Sequence, residues 1–306
     1  NPEAYTVSEV WEEASGYLKE AGFSATMNYH GFAFPVKGFL IDNTIEPSRF
    51  AEILRERRSA HPPRVRSALQ NLVGSHDTPR LATMVVNRSD TGYAQPERFD
   101  YDNGAVVDLR QNPDYKVRAP SDAEERLQRL VTLFQMTYVG APMVYYGDEA
   151  GMWGADDPDD RKPMVWRDRD YDVEDNHPNG YDRPADPVRF DEELFATYQD
   201  LISLRRDHEA LRRGAFGVVQ ADDERGLLTY ARTHATDTLL VALNRSAEAH
   251  SARVPLPDSL RQPYEILRTV PEEASVRLQQ DGTALLLEVP EHTGVIVGAA
   301  SKRSEE

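Results

Sequence analysis

Asn71-Leu-Val-Gly-Ser-His-Asp-Thr-Pro-Arg80 decides how this chain reads. A short apolar run breaks at a glycine into hydroxyl, imidazole, carboxylate and guanidinium groups, the profile of a buried strand whose C-terminal end opens into a polar loop. Three other stretches have the same form. Tyr5-Thr-Val leads to Glu9, Phe23 to Tyr29 carries Asn28 at its end, and Pro142-Met-Val-Tyr-Tyr146 leads to Asp148 and Glu149. Helical patterns lie between them: Glu12 to Ala21 ended by Gly22, Phe32 to Arg58 interrupted near Asn43, and a turn from Arg64 to Gln70 after the Pro62-Pro63 break. Ser121 to Tyr138 is the clearest, with Ser121 as N-cap, Glu124 at the capping-box position, Leu127, Leu130, Val131 and Phe134 on one face, and Gly140 as stop. Strands alternating with helices predict a β/α architecture, in which catalytic groups gather at the C-terminal strand ends. Glu9, Asn28, His76, Asp77, Asp148 and Glu149 are therefore expected along one rim.

Further along, Gly147 to Pro187 is polar and reads as a long functional loop. Phe190 to Arg206 follows as a helix with Leu194, Tyr198, Leu201 and Leu204 on its core face. After Gly214 the pattern turns to close-set strands at Gly226 to Thr233, Thr238 to Leu243, Ser251 to Pro255, Ala284 to Val289 and Gly294 to Val297. Runs of strands without intervening helices predict a separate antiparallel sandwich. The expected division is a β/α region at 1–210, a sandwich at 211–300 and a disordered tail at 301–306.

Composition narrows the function. With a formal net charge of -17 over 306 residues and no basic stripe, a nucleic-acid partner would be repelled. No apolar run approaches the roughly 18 residues a membrane span needs, so no membrane partner is expected. Zero cysteines exclude disulfides, thiolate metal sites and a cysteine nucleophile. Lysine occurs only at Lys19, Lys37, Lys116, Lys162 and Lys302. Excess carboxylate with scarce lysine suits a salt-rich cytoplasm or an acidic solubility coat, and the compartment stays open.

Three ordered segments carry a family resemblance. Tyr5-Thr-Val-Ser-Glu-Val-Trp11 resembles the α-amylase-family segment that holds the general acid/base, and Asn71 to Arg80 resembles that family's histidine-aspartate segment. Gly140-Ala-Pro-Met-Val-Tyr-Tyr-Gly-Asp-Glu-Ala-Gly151 is similar to its last barrel strand. The Gly-Ser-His-Asp-Thr wording and Asp157-Pro-Asp-Asp-Arg-Lys-Pro-Met-Val-Trp166 look most like the neopullulanase and cyclomaltodextrinase group. The resemblance implies the C-terminal half of a (β/α)8 TIM barrel, strands five to eight, followed by the antiparallel β domain. It departs from the family at Ser8, where a glycine more usually precedes the acid.

By the resemblance, Glu9 is the catalytic acid, Asp77 grips sugar hydroxyls and favours the distorted sugar, and His76 donates a hydrogen bond. Arg80 braces a carboxylate, meets a hydroxyl or forms a surface salt bridge, and Asn28 and Tyr146 are further candidates for substrate binding. Asp148 and Glu149 shape the floor of the site. Trp153 and Trp166 fit either stacking on sugar or filling core. Asp156, Asp157, Asp159 and Asp160 invite a calcium reading, but the spacing is not that of an EF-hand and Arg161 and Lys162 are placed to neutralise them. No metal or cofactor is expected.

The family's nucleophile, an aspartate in a Gly-Phe-Arg-Leu-Asp type of segment on barrel strand four, has no counterpart in the 306 residues. The expectation is a retaining hydrolase of α-1,4-glucans such as cyclodextrin, maltodextrin, pullulan or starch, inactive as this chain alone. Open sheet edges call for a partner, either the N-terminal barrel half or a second copy. The alternative is a non-catalytic amylase-like protein that binds sugar or a partner.

Overall fold

The structure is a computed structural model and describes residues 1, 3–19, 22–89, 107, 109, 112–177, 179–235 and 237–300. The expected tail at 301–306 and the last residues of the first predicted helix lie outside them. β1 (Val7–Ser8) is followed by α1 (Ser15–Lys19) and β2 (Ala25–Thr26). Tyr29–Ala33 and Lys37–Ile41 are wide π-helical turns on either side of α2 (Phe34–Val36), and α3 spans Pro47–Ser59. The break expected near Asn43 is real, since that residue takes φ 60°. α4 (Pro63–Arg66) leads into β3 (Gln70–Asn71), then α5 (Leu81–Val86), α6 (Asp122–Thr137) and β4 (Ala141–Pro142).

These four strands form the expected parallel arrangement. β1 pairs with β2 and β3 with β4, both parallel, and a parallel bridge between Met27 and Gln70 joins the two pairs. The ladders are shorter than the apolar runs suggest, but sequence order is kept across the sheet. α6 starts as the capping box predicts, with the Ser121 N–H donating to Glu124 Oε2 at 2.7 Å. Gly140, at φ 122°, turns the chain into β4, and Asn71 and the Leu69 carbonyl crowd the space a Cβ would need.

The long loop is not structureless. It holds a hairpin of β5 (Glu174–Asn176) and β6 (Asp182–Asp186), sequences with little strand propensity. Ion pairs fasten it: Lys162 Nζ and Arg183 Nη1 each stand 2.6 Å from Glu174 Oε1, and Arg183 Nη2 stands 2.6 Å from Asp186. α7 (Glu192–Asp207) is capped by Asp191, whose side chain accepts from the Leu194 N–H, and buries the four residues expected of it. α8 (Glu209–Arg213) follows.

The C-terminal strands are β7 (Ala215–Asp222), β8 (Leu227–His234), β9 (Asp237–Asn244), β10 (His250–Pro255), β11 (Tyr264–Val270), β12 (Arg277–Gln280), β13 (Ala284–Val289) and β14 (Thr293–Ala299). They form an antiparallel five-stranded sheet in the order β11-β14-β9-β8-β7 and a three-stranded sheet in the order β10-β13-β12. Period-2 alternation sorts the side chains. Leu240, Ala242, Val295 and Val297 meet Val254, Leu285 and Leu287 of the smaller sheet. Leu239, Val241, Leu243 and Ile296 point the other way, into the core that holds α6 and the π-helical turns. The larger sheet is thus buried on both faces, which explains the near-continuous apolar sequence of β8 and β9. Phe134 of α6 stands edge-on to Tyr230 of β8, ring centroids 5.8 Å apart, and stacks on Phe32 at 5.7 Å.

Candidate active site

Glu9 follows β1, and the segment 74–80 follows β3, so parallel strands two places apart deliver the key groups to the same rim. His76 Nε2 lies 3.9 Å from Glu9 Oε1 and 3.5 Å from Asp77 Oδ1. One polar atom from each of Glu9, His76 and Asp77 falls within 4.8 Å of the other two. All three remain accessible, with side-chain exposures of 40%, 47% and 34% respectively.

Local chemistry holds the turn. The Ser75 N–H donates to Thr78 Oγ1 at 2.8 Å, and the Asp77 N–H donates to Ser75 Oγ at 3.2 Å. Tyr29, buried at the end of β2, donates its phenol to the same Ser75 oxygen at 2.9 Å. Trp11 stacks on Tyr29 with centroids 4.2 Å apart, which gives the rim an aromatic wall. Burial, with the Glu9 and Asp77 carboxylates beside it, pushes the Tyr29 phenol up, and the Ser75 bond only partly opposes this, so Tyr29 stays protonated as a donor. Gly74 has no side chain because a Cβ there would stand 2.9 Å from Asp148 Oδ2.

A second clamp comes from the loop after β4. Arg161 Nη2 stands 3.0 Å from Asp77 Oδ1, and Arg161 Nε donates to the His76 carbonyl at 2.8 Å. Arg161 also pairs with Asp157 at 2.8 Å, and Lys162 lies 3.6 Å from Asp159. Two of the aspartates in the acidic run, Asp157 and Asp159, are therefore paired with its own cations. Among the described residues, the one group of three or more side chains able to hold a metal together is Glu9, His76 and Asp77.

Two expected substrate contacts change role. Arg80 is fully buried: Nη1 donates to the Tyr146 carbonyl at 2.6 Å and to Asp148 Oδ1 at 3.3 Å, and the guanidinium lies over the rings of Tyr145 and Tyr146. It braces a carboxylate and the last barrel strand, and a buried group of this kind neither meets sugar nor forms a surface ion pair. Asn28 is also buried and donates to Asn71 Oδ1 at 2.9 Å, with Gly31 closing over it, so it ties β2 to β3. Tyr146 keeps an exposed ring while its hydroxyl donates to the Lys162 carbonyl at 2.6 Å. Asp148 is buried against Arg80, and burial outweighs that cation to push its carboxyl up to about 7. Trp153 fills a core cluster with Tyr115 and Val117, whereas Trp166 is exposed.

Tyr29, Ser75 and Arg161 are the site residues that the sequence reading assigned no part in the site. Ser75 lay inside the quoted motif, and Arg161 had been read only as a neutraliser of its own loop.

Residues 111–214 match the α-amylase catalytic domain family, and residues 216–293 match the maltogenic amylase C-terminal domain family. The chain is a member of the α-amylase family, with part of its catalytic barrel followed by the C-terminal β domain. Within that family it sides with the cyclomaltodextrinase and neopullulanase group. It is 33% identical over 260 residues to a cyclomaltodextrinase of Geobacillus thermopakistaniensis, covering 85% of this chain and 34% of the relative. It is 31% identical over 259 residues to neopullulanase 2 of Thermoactinomyces vulgaris, covering 85% and 35%. The chain thus spans about a third of the length of these curated relatives. Among solved structures, the native form of the Nostoc punctiforme debranching enzyme superposes with a TM-score of 0.71 at 25% identity, covering 98% of this chain and 52% of that one.

Proposed function

We propose that this chain supplies the acid side of a retaining glycoside hydrolase site for α-1,4-glucans of the cyclodextrin, maltodextrin, pullulan or starch type. Glu9 protonates the departing glycosidic oxygen, and Asp77 and His76 hold the hydroxyls of the sugar ring whose anomeric carbon gains positive charge. Arg161 and Ser75 fix Asp77 for that task. The observation that carries the reading is the convergence of Glu9, His76 and Asp77 from two strands onto one rim. A retaining mechanism also needs a carboxylate nucleophile. With no Gly-Phe-Arg-Leu-Asp type of segment among the 306 residues, that group comes from the N-terminal barrel half. The isolated chain is then inactive.

A second reading is a non-catalytic amylase-like protein that binds sugar or a partner. One assay separates the two. The chain is combined with the complementary barrel half of a cyclomaltodextrinase, and release of reducing sugar from cyclodextrin and starch is measured. The hydrolase reading expects activity that falls roughly 100- to 10,000-fold in Glu9→Gln. An inert mixture in which the chain still binds maltooligosaccharide, with or without Glu9→Gln, supports the binding protein instead.

A further inference from the structure

Away from the rim, a cavity of about 80 Å³ lies between β2, the start of α1 and the C-terminal end of α3. The carboxylates that line it, on Glu12, Glu13 and Glu56, belong to exposed residues, where water screens them. Glu13 is further occupied by the Ser15 N–H and hydroxyl, at 3.0 and 2.8 Å. The inner lining has a different character. Arg57 Nε and His30 Nε2 are buried without a hydrogen-bond partner among the described residues. His61 is 9% exposed, and its ring makes no hydrogen bond there either; its backbone is engaged instead, the N–H donating to the Arg58 carbonyl and the carbonyl accepting from Arg66 Nε.

Buried polar atoms without partners are costly, so the cavity calls for an occupant. A guanidinium nitrogen can only donate, and an imidazole can donate from both nitrogens once charged. A volume of about 80 Å³ has room for a few waters or one small ion. A metal is a poor fit, because the only metal-competent group among the described residues is the one at the rim.

We propose that this cavity binds a small inorganic anion, of the size of chloride or phosphate, held by Arg57 Nε and the rings of His30 and His61. An anion would complete the donors that the fold buries and would tie α3 to β2. Burial first, and then Arg57 beside His30 and Lys19 and Arg66 near His61, hold both imidazoles below their usual value, against the pull of Glu13. Anion binding reverses that balance and favours the protonated rings.

The test uses the full chain and two probes, inorganic phosphate and chloride, each titrated at constant ionic strength against gluconate, which is too large for the cavity. Thermal unfolding and the imidazole NMR resonances are followed. Saturable binding is expected, with a concentration of ten times Kd raising the folded-to-unfolded ratio about eleven-fold, and with the His30 and His61 resonances moving towards the protonated form. Arg57→Gln and, separately, His61→Gln should abolish the saturable response, while Arg55→Gln, exposed on the same helix, keeps it. A response that is linear in salt, or the same in gluconate, or unchanged in both cavity variants, means that the cavity holds water only and overturns the proposal.

Discussion

Arg161 Nη2 rests 3.0 Å from Asp77 Oδ1, although 84 residues separate them. The contact joins the loop after β4 to the turn after β3, and the same guanidinium fixes the His76 carbonyl. A charge-assisted pair of this kind orients a carboxylate better than packing alone. In protein complemented with the missing barrel half, Arg161→Met should lower kcat/KM on cyclodextrin by about 10- to 100-fold. Arg161→Lys should recover only part of this, because an ammonium cannot reach both partners from one plane. Steady-state kinetics would check it, and unchanged kcat/KM would show that Asp77 needs no such brace.

Asp160 is fully buried, and neither carboxylate oxygen has a hydrogen-bond partner among the described residues. Burial, opposed by Arg161 and Arg80 and reinforced by Asp157, pushes its carboxyl up to about 7. The unfolded chain releases that proton near 3.8, so between the two values the native state holds more protons and stability falls as pH rises. Below about 4 the contribution is complete, and above about 7 it is gone. Asp148 adds to the slope in the same direction. Asp160→Asn should flatten the decline and stabilise the chain at pH 8 by an amount on the order of a few kcal/mol, with little change at pH 4. Urea titrations across that range would measure it, and parallel curves for the two proteins would refute the assignment.

Gly140 holds φ 122° with the Leu69 carbonyl 2.9 Å from where a Cβ would sit. Gly140→Ala should cost about 2–4 kcal/mol through backbone strain and separation of β3 from β4. Chemical denaturation gives the number, and a loss below about 0.5 kcal/mol, the scale of neutral surface changes, would mean that the turn relaxes freely.

Arg232, on β8, is fully buried and donates to the Thr137 carbonyl at the end of α6 and to the Gly214 carbonyl. Arg205 on α7 caps the same helix end through the carbonyls of Met136 and Tyr138. Arg232→Met keeps the bulk but leaves those acceptors unmet, so a loss of about 2–4 kcal/mol is expected. Calorimetry should still show one transition, because Phe134, Tyr138 and Tyr230 belong to a single core. Two separated transitions in the variant would mean that this arginine, and not the core, joins the two halves.

What the sequence disclosed depended on how local the cause was. The capping box at Ser121, the break at Asn43 and the buried face of α7 rest on neighbours within a turn or two, and each is where its pattern put it. β11 and β12 escaped notice because their outward residues, Glu265, Arg268, Gln279 and Gln280 among them, make partly covered strands look like loop. The β5–β6 hairpin has no strand signal at all and exists through Lys162, Glu174 and Arg183. At the site, the motif around His76 and Asp77 was plain, but the partners of Asp77 were not. Arg80 attracted a surface role because no local pattern reveals that Tyr145, Tyr146 and Asp148 enclose it.

The arginines that run from the C-terminal sheet into the helical layer give the chain an unusual tolerance of cleavage. Arg245 reaches the carbonyls of Phe39 and Ile45 and the carboxylate of Glu46, much as Arg232 reaches α6. A protease that nicked the backbone beside Gly214 would release nothing. The two pieces would travel together through a sizing column and separate only on a denaturing gel.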